Sequence, residues 1–300
     1  MTAIPCYPEF APLTFDVQAP MEILLGKSPD GVSEFTFANL YLFRERYSYR
    51  VSLAGEDALV LSGIQPPHHP GEEGRSFFLT PCAAPEKGVL MELLAEHDYW
   101  KNIPDSIYLP NQARFEEWGV AVQEDRDNFD YLYLRTDLAE LAGKKYHKKR
   151  NLVHQFLNLY EYTEHPLSRE LIPQALDVLE RWRADKGMDA DYTATQEALE
   201  QFDRLRLEGA IYFIRGRSAG WCLGEGVAGG GMFAVHFEKG IDEYKGIYQF
   251  MNQAFARSLP ERYVSINREQ DLGDEGLRQA KMTYRPSGFV KKYTGVLTRG

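Results

Sequence analysis

Cysteine is scarce in this chain. Cys6, Cys82 and Cys222 are the only three in 300 residues, and they stand far apart with no CxxC or metal-ligand spacing. That excludes a disulfide framework and a cysteine-built metal or redox centre, so the thiols read as reduced and no metal is expected. Long apolar runs are missing too: none approaches the roughly 18 residues that a membrane-spanning helix needs. The opening MTAIPCYPEFAPLTFDV has neither a basic stretch nor an apolar one, so no signal peptide is expected. Positive charge is in deficit, with 34 Lys and Arg against 44 Asp and Glu and a net charge of −10. Broad non-specific binding to nucleic acid depends on cation–phosphate contacts and is therefore disfavoured, so any anion site must be local. His68 and His69 flank prolines without further ligands nearby. The expectation is a soluble cytoplasmic protein.

Hydrophobic patterning fills in what is present. SEFTFANLYLFRERYS, residues 33–48, has helical apolar spacing, and YRVSLAGEDALVLSG reads as a hairpin around a Gly-Glu-Asp turn. A strand (RSFFLTPC), a helix (PEKGVLMELLAEHDYW), a strand (SIYLP), a helix (NQARFEEWG) and a strand (FDYLYLR) follow. The second half opens with a basic helix over 144–160 and continues with RELIPQALDVLERWRADKG and ATQEALEQFDRLRL. Three strands, GAIYFIRG, SAGWCLGEGVA and GMFAVHFEKG, then form an antiparallel meander separated by GRS and GGG turns. The helix KGIYQFMNQAFARSL, the strand YVSINRE, the helix DEGLRQAKMTY and a last strand GFVKKYTGVL complete the order. The alternation predicts an α/β (α+β) layer fold.

Helices, a three-strand meander, then helix–strand–helix–strand resemble the Gcn5-related N-acetyltransferase (GNAT) fold. AKMTYRPSGF is similar to the ending AxxxYxxxGF of many such enzymes, with Tyr284 four residues after Ala280 and Gly288–Phe289 at the usual distance. Leu277 stands where that family often has Asn, and the phosphate-cradling loop is reduced to EYKGIYQF with the single Gly246. Over most of the chain, FTFANLYLFRERY, KKYHKKRNLVHQF, GIYQFMNQAF, INREQDLGDEGLRQAK and YRPSGFVKKY look like a bacterial family resembling the C-terminal, catalytic part of phosphatidylglycerol lysyltransferase. That family is related to the Fem-type peptidyltransferases that use aminoacyl-tRNA. The resemblance implies two tandem GNAT-like domains, 1–135 and 136–300, each a mixed, mostly antiparallel sheet flanked by helices, with the active site in the second. It implies an acyl- or aminoacyltransferase whose donor is aminoacyl-tRNA or acyl-CoA, with no tightly bound cofactor and tRNA as a candidate partner. By motif position, Tyr284 would protonate the leaving group; a core tyrosine is the competing reading.

The basic segment carries its own argument. Lys144, Lys145, Lys148, Lys149 and Arg150 fall within seven positions. They crowd the start of a helix whose dipole already disfavours cations by roughly 0.3–1 kcal/mol each. An anion resting there would reverse that penalty; neutralisation by Asp137 and Glu140 is the alternative. On a helical wheel Tyr146, Val153, Leu157 and Tyr160 form the buried stripe.

Transfer chemistry needs a base, oxyanion donors and an acid. Glu225, in the otherwise apolar or glycine-rich WCLGEGVA, is a candidate base, though an outward-facing strand residue would look the same. His236 in FAVHF could serve as base or simply be a satisfied structural histidine. Asn267, Arg268, Glu269, Gln270 and Asp271 follow a strand, where α/β sheets commonly hold substrates. Glu269 and Asp271 are expected to bind an amine or act as base, and Asn267, Arg268 and Gln270 to contact the acceptor; capping by Asp271 or Asp274 competes. Lys245, Gly246 and Tyr248 could cradle donor phosphates at a helix start. A non-catalytic protein that keeps the fold and holds RNA or an anionic metabolite is the second functional reading.

Overall fold

The structure is a computed structural model that describes residues 4–67, 71–186 and 191–298, so His68 and His69 lie outside it. Two seven-stranded mixed sheets organise the chain. The first begins with β1 (Ala11–Pro12), β2 (Arg50–Leu53), β3 (Leu59–Gln65), β4 (Arg75–Leu79), β5 (Tyr99–Pro104) and β6 (Val120–Glu124). The second takes β7 (Asp130–Leu134), β8 (Tyr162–Pro166), β9 (Glu208–Ile214), β10 (Arg217–Val227), β11 (Met232–Gly240), β12 (Ser265–Asn267) and β13 (Gly288–Val290). The last strand, β14 (Lys292–Leu297), returns to the first sheet. Strand order is β1-β2-β3-β4-β5-β14-β6 in one sheet and β8-β9-β10-β11-β12-β7-β13 in the other. In each, an antiparallel meander meets a parallel pair, β4 with β5 and β11 with β12.

The compact units follow the sheets rather than a single cut. One comprises the chain up to Asp130, Gln270–Gly273 and the residues from Val290 onward; the other comprises Tyr131–Glu269 and Asp274–Phe289. This differs from a division at 135/136, because β7 joins the second sheet and β14 the first. The segment GFVKKYTGVL, expected to be one strand, is therefore two, and Lys291 separates strands of different sheets.

Elsewhere the local readings shift for identifiable reasons. SIYLP belongs to the helix Asp105–Glu117, not to a strand, and the strand precedes it at β5. Ile107 and Phe115, eight residues apart, both point into the core, which is a helical spacing, and Pro110 is accommodated inside the helix. The preceding helix stops at Glu96 (Lys87–Glu96), leaving Tyr99 and Trp100 in β5. β6 and β8 lack strong alternation and were not anticipated. The helix over 33–48 is two, Phe37–Leu42 and Arg44–Tyr47, the first capped by Thr36, whose hydroxyl accepts from Asn39 N at 3.0 Å. In the first core Trp100 stacks on Phe78 (5.8 Å, 9°) and meets Phe115 edge-on. In the second, Phe156 stacks on Phe250 (4.2 Å, 14°).

Candidate active site

The second unit concentrates its chemistry where β11 and β12 part. These strands pair in parallel only from Met232–Ser265 to Ala234–Asn267. Past Asn267 the chain turns away: Asn267 is fully buried, its Oδ1 accepts from Glu269 N at 2.7 Å, and Glu269 takes a left-handed φ of 57°. On the other side of β11, the register with β10 runs Leu223–Phe237 and then Gly224–Val235. His236 is thus the extra residue of a β-bulge, a device that re-aims a side chain. Gly224 is required opposite it, because a Cβ there would lie 1.9 Å from Ala234 O.

Bulge and turn together place His236 between two carboxylates. Its Nε2 bonds Glu225 Oε1 at 3.0 Å and its Nδ1 bonds Glu269 Oε1 at 2.7 Å. The His236 side chain is 1% exposed, whereas Glu225 and Glu269 are 18% and 22% exposed, so only the carboxylates face outward. Burial works against charging the imidazole, but the hydrogen bonds to Glu225 and Glu269 prevail and push its pKa up to about 10. At neutral pH the trio is a buried imidazolium flanked by two carboxylates, with a net charge of −1. Among the described residues, the second oxygen of each carboxylate has no hydrogen bond. No group of His, Cys, Asp and Glu among the described residues is arranged to hold a metal ion.

A second ion pair lies one step further along. Arg268 meets Glu238 at 2.7 Å, and burial holds the Glu238 carboxyl above its ordinary range despite that partner. Lys281 closes the turn by donating to the carbonyls of Arg268 (2.7 Å) and Glu269 (3.1 Å). Tyr284 is buried, edge-on to Tyr133, and burial lifts its phenol well above the usual range even with Arg268 nearby. Lys149 Nζ lies 3.9 Å from the centre of the Tyr284 ring, and burial followed by the Arg268 charge lowers its pKa.

The structure therefore brings Glu225 and Glu269 together around a histidine that the sequence left ambiguous, and holds Asn267, Arg268, Tyr284 and Lys149 in the same unit. Gln270 and Asp271 go elsewhere. Both belong to the first unit, where Gln270 bonds Glu34 and fully buried Asp271 accepts from Gly273 N (3.0 Å) and Arg126. The basic segment divides as well. Its α-helix starts at His147, with Lys144–Tyr146 forming a 3-10 turn, and the buried stripe uses Phe156 while Leu157 is exposed. Lys145 pairs with Asp137 at 2.8 Å, the neutralised alternative, and Arg150 donates to the carbonyl of Gly143. Lys144 and Lys148 are exposed.

At the start of helix Ile247–Ser258, Lys245 N already donates to Tyr160 Oη (3.2 Å) and Ile247 N to Tyr244 O (3.0 Å). Gly246 has φ 87°, and a Cβ there would meet Leu152 O at 2.7 Å, so this glycine serves close helix packing. Tyr248 Oη donates to Gly240 O at 3.0 Å. Glu238 and Lys281 were not anticipated. The polar residues His236 and Glu238, two apart in an apolar strand, were the available signal for Glu238; Lys281 offered none.

Residues 27–295 match the family described as phosphatidylglycerol lysyltransferase, C-terminal. The chain belongs to this family. A conserved protein of unknown function from Bacteroides thetaiotaomicron is 29% identical, with a TM-score of 0.83 over 96% of this chain and 99% of that one. L-PGS from Bacillus licheniformis shares the fold at 15% identity and TM-score 0.61, covering 100% of this chain and 95% of the other. An uncharacterized protein of Mycoplasmoides gallisepticum is 25% identical over 182 residues, 57% of this chain, so the match spans only 56% of that relative. Both sheets carry the GNAT-like order, and the fold is a tandem of such units within a transferase family. Among the described residues, no helix of this lysyltransferase-family chain is long and apolar enough to cross a membrane.

Proposed function

We propose that this chain is an aminoacyltransferase that moves an aminoacyl group from tRNA to an amine or hydroxyl acceptor at the Glu225–His236–Glu269 trio. The trio carries the proposal. Its net negative charge and outward carboxylate oxygens suit the ammonium of an aminoacyl group, and its imidazolium fixes both carboxylates in place. In this reading Glu269 takes the proton from the acceptor as its nitrogen or oxygen attacks the ester carbonyl, and Glu225 holds the ammonium. As the ester C–O bond breaks, the ribose oxygen of the carrier takes a proton from Lys149, whose lowered pKa makes it a better acid than the buried Tyr284. Tyr284 then supports Lys149 rather than donating.

Two observations favour tRNA over acyl-CoA. The exposed Lys144 and Lys148 are available to phosphates, whereas two N–H groups that a pyrophosphate would use at Lys245–Ile247 are already bonded within the protein. Incubation of the purified chain with tRNAs carrying labelled amino acids, and in parallel with acyl-CoAs, tests the reaction. Release of label from tRNA to an added amine is the expected result, and Glu269→Gln should slow it by roughly 10²–10⁴-fold with tRNA affinity retained. Consumption of acyl-CoA alone would move the carrier assignment. If neither donor is consumed but tRNA binds, the non-catalytic reading takes over.

A further inference from the structure

Between the edge strand β8, the helix His147–Leu159 and the helix Ile247–Ser258, the second unit holds a cavity of about 310 Å³, at the lower end of small-molecule sites. None of the His236 trio lines it, and β8 stands three strands from β11, about 14 Å across the sheet. One wall is apolar: Tyr162 and Phe250 meet edge-on (4.5 Å, 66°), with Val153 and Leu157 beside them. Two polar groups of the lining lack a partner. Glu164 is half-buried, and among the described residues it has neither a hydrogen bond nor an ion pair. Burial raises its carboxyl above the ordinary range, and no neighbouring charge acts on it. Gln253 is only 6% exposed, and its amide likewise bonds nothing among the described residues. A desolvated carboxylate and a buried amide are both costly to leave unmet inside a protein. Arg257, the other charged residue of the lining, is exposed, and its Nε donates to Ala139 O at 2.8 Å.

We propose that this cavity is a second binding site, for a primary amine on an apolar or aromatic stem, whose ammonium rests on Glu164 and Gln253 and whose stem lies against Tyr162 and Phe250. A primary ammonium has three N–H donors, enough for the carboxylate and the amide oxygen together. A quaternary ammonium has none, an alcohol lacks the charge that Glu164 calls for, and an acid would meet Glu164 with like charge. The two rings add an attraction for the same cation. Arg257 does not oppose it, because its charge is not felt at Glu164. The site stands apart from the transfer chemistry proposed above, and its test reads binding alone.

Calorimetry of the full chain with phenethylamine at neutral pH tests this. Expected is saturable binding, with affinity at least about tenfold weaker for phenethyl alcohol, which keeps the stem and lacks the charge. N-trimethylated phenethylamine, which keeps the charge and lacks N–H donors, should be weakened by a similar factor. Glu164→Gln should also cost the amine about tenfold, and it removes a desolvated charge without a partner, so the fold is not placed at risk. The proposal is overturned by no binding up to about 10 mM, which would leave a groove filled by water, or by the alcohol binding as well as the amine. An affinity that survives Glu164→Gln overturns it too, since the amine would then be held elsewhere, as at the carboxylates of the trio. The comparison of amine with alcohol uses the unaltered protein, so it stands whatever the variant does.

Discussion

His236 is enclosed by protein, and enclosure alone would strip its proton; two carboxylates reverse the outcome. The consequence can be measured. In the folded chain the imidazolium persists to about pH 10, whereas an unfolded chain releases that proton near 6.5. The folded state binds the extra proton between those values, so stability falls as pH rises. The contribution of the trio is complete below about pH 6.5 and lost as pH passes through about 10, at no more than about 1.4 kcal/mol per pH unit. Urea denaturation across this window should show the decline, and His236→Gln should flatten it. Ring-proton NMR should find one histidine still charged at pH 8; if every histidine titrates near 6.5, the trio is not an ion cluster.

Elements became legible where one period dominated. The meander β9–β11 and the helix Ile247–Ser258 were readable because each buries one face and alternates or repeats accordingly. Glu225 and Glu269 could be named, since a carboxylate in an apolar strand and one after a strand end are both anomalies. The bulge that aims His236 was hidden, because register lies in the pairing of two strands and not in either alone. Lys292 was hidden for a related reason: in GFVKKYTGVL nothing marks which lysine is enclosed. It is fully buried and bonded to Glu34 and, at 2.6 Å, to Asp130, while Lys291 reaches the exposed Glu124. Replacing Lys292 by Met leaves two carboxylates buried together. That should cost about 3–5 kcal/mol in urea unfolding, against less than about 1 kcal/mol for Lys291→Met. Equal effects at the two positions would show that the buried cluster does not anchor β14.

At the scale of the whole chain, the two sheets exchange strands reciprocally. β6 forms an edge of the first sheet, and the next strand, β7, enters the second between β12 and β13; β13 forms an edge of the second, and the next strand, β14, enters the first between β5 and β6. β14 pairs with β6 from Tyr293–Glu124 through Leu297–Val120 and with β5 at Lys292–Pro104, Tyr293–Ile103 and Gly295–Trp100. Without it, β5 and β6 have no common neighbour, and Glu34 and Asp130 lose their cation. The first sheet thus depends on β14, a strand that follows the whole of the second sheet in sequence, which no cut near residue 135 would respect. Ending the chain at Lys291 should therefore remove hydrogen-exchange protection from amides of β5 and β6, although every deleted residue lies more than a hundred positions away in sequence. Because β7 precedes the cut, amides of β11 and β12 should lose protection only to the extent that unfolding of the first sheet spreads. Full protection of β5 and β6 in the shortened chain would mean that β14 merely covers a sheet that is stable without it, and that each half of the chain folds on its own.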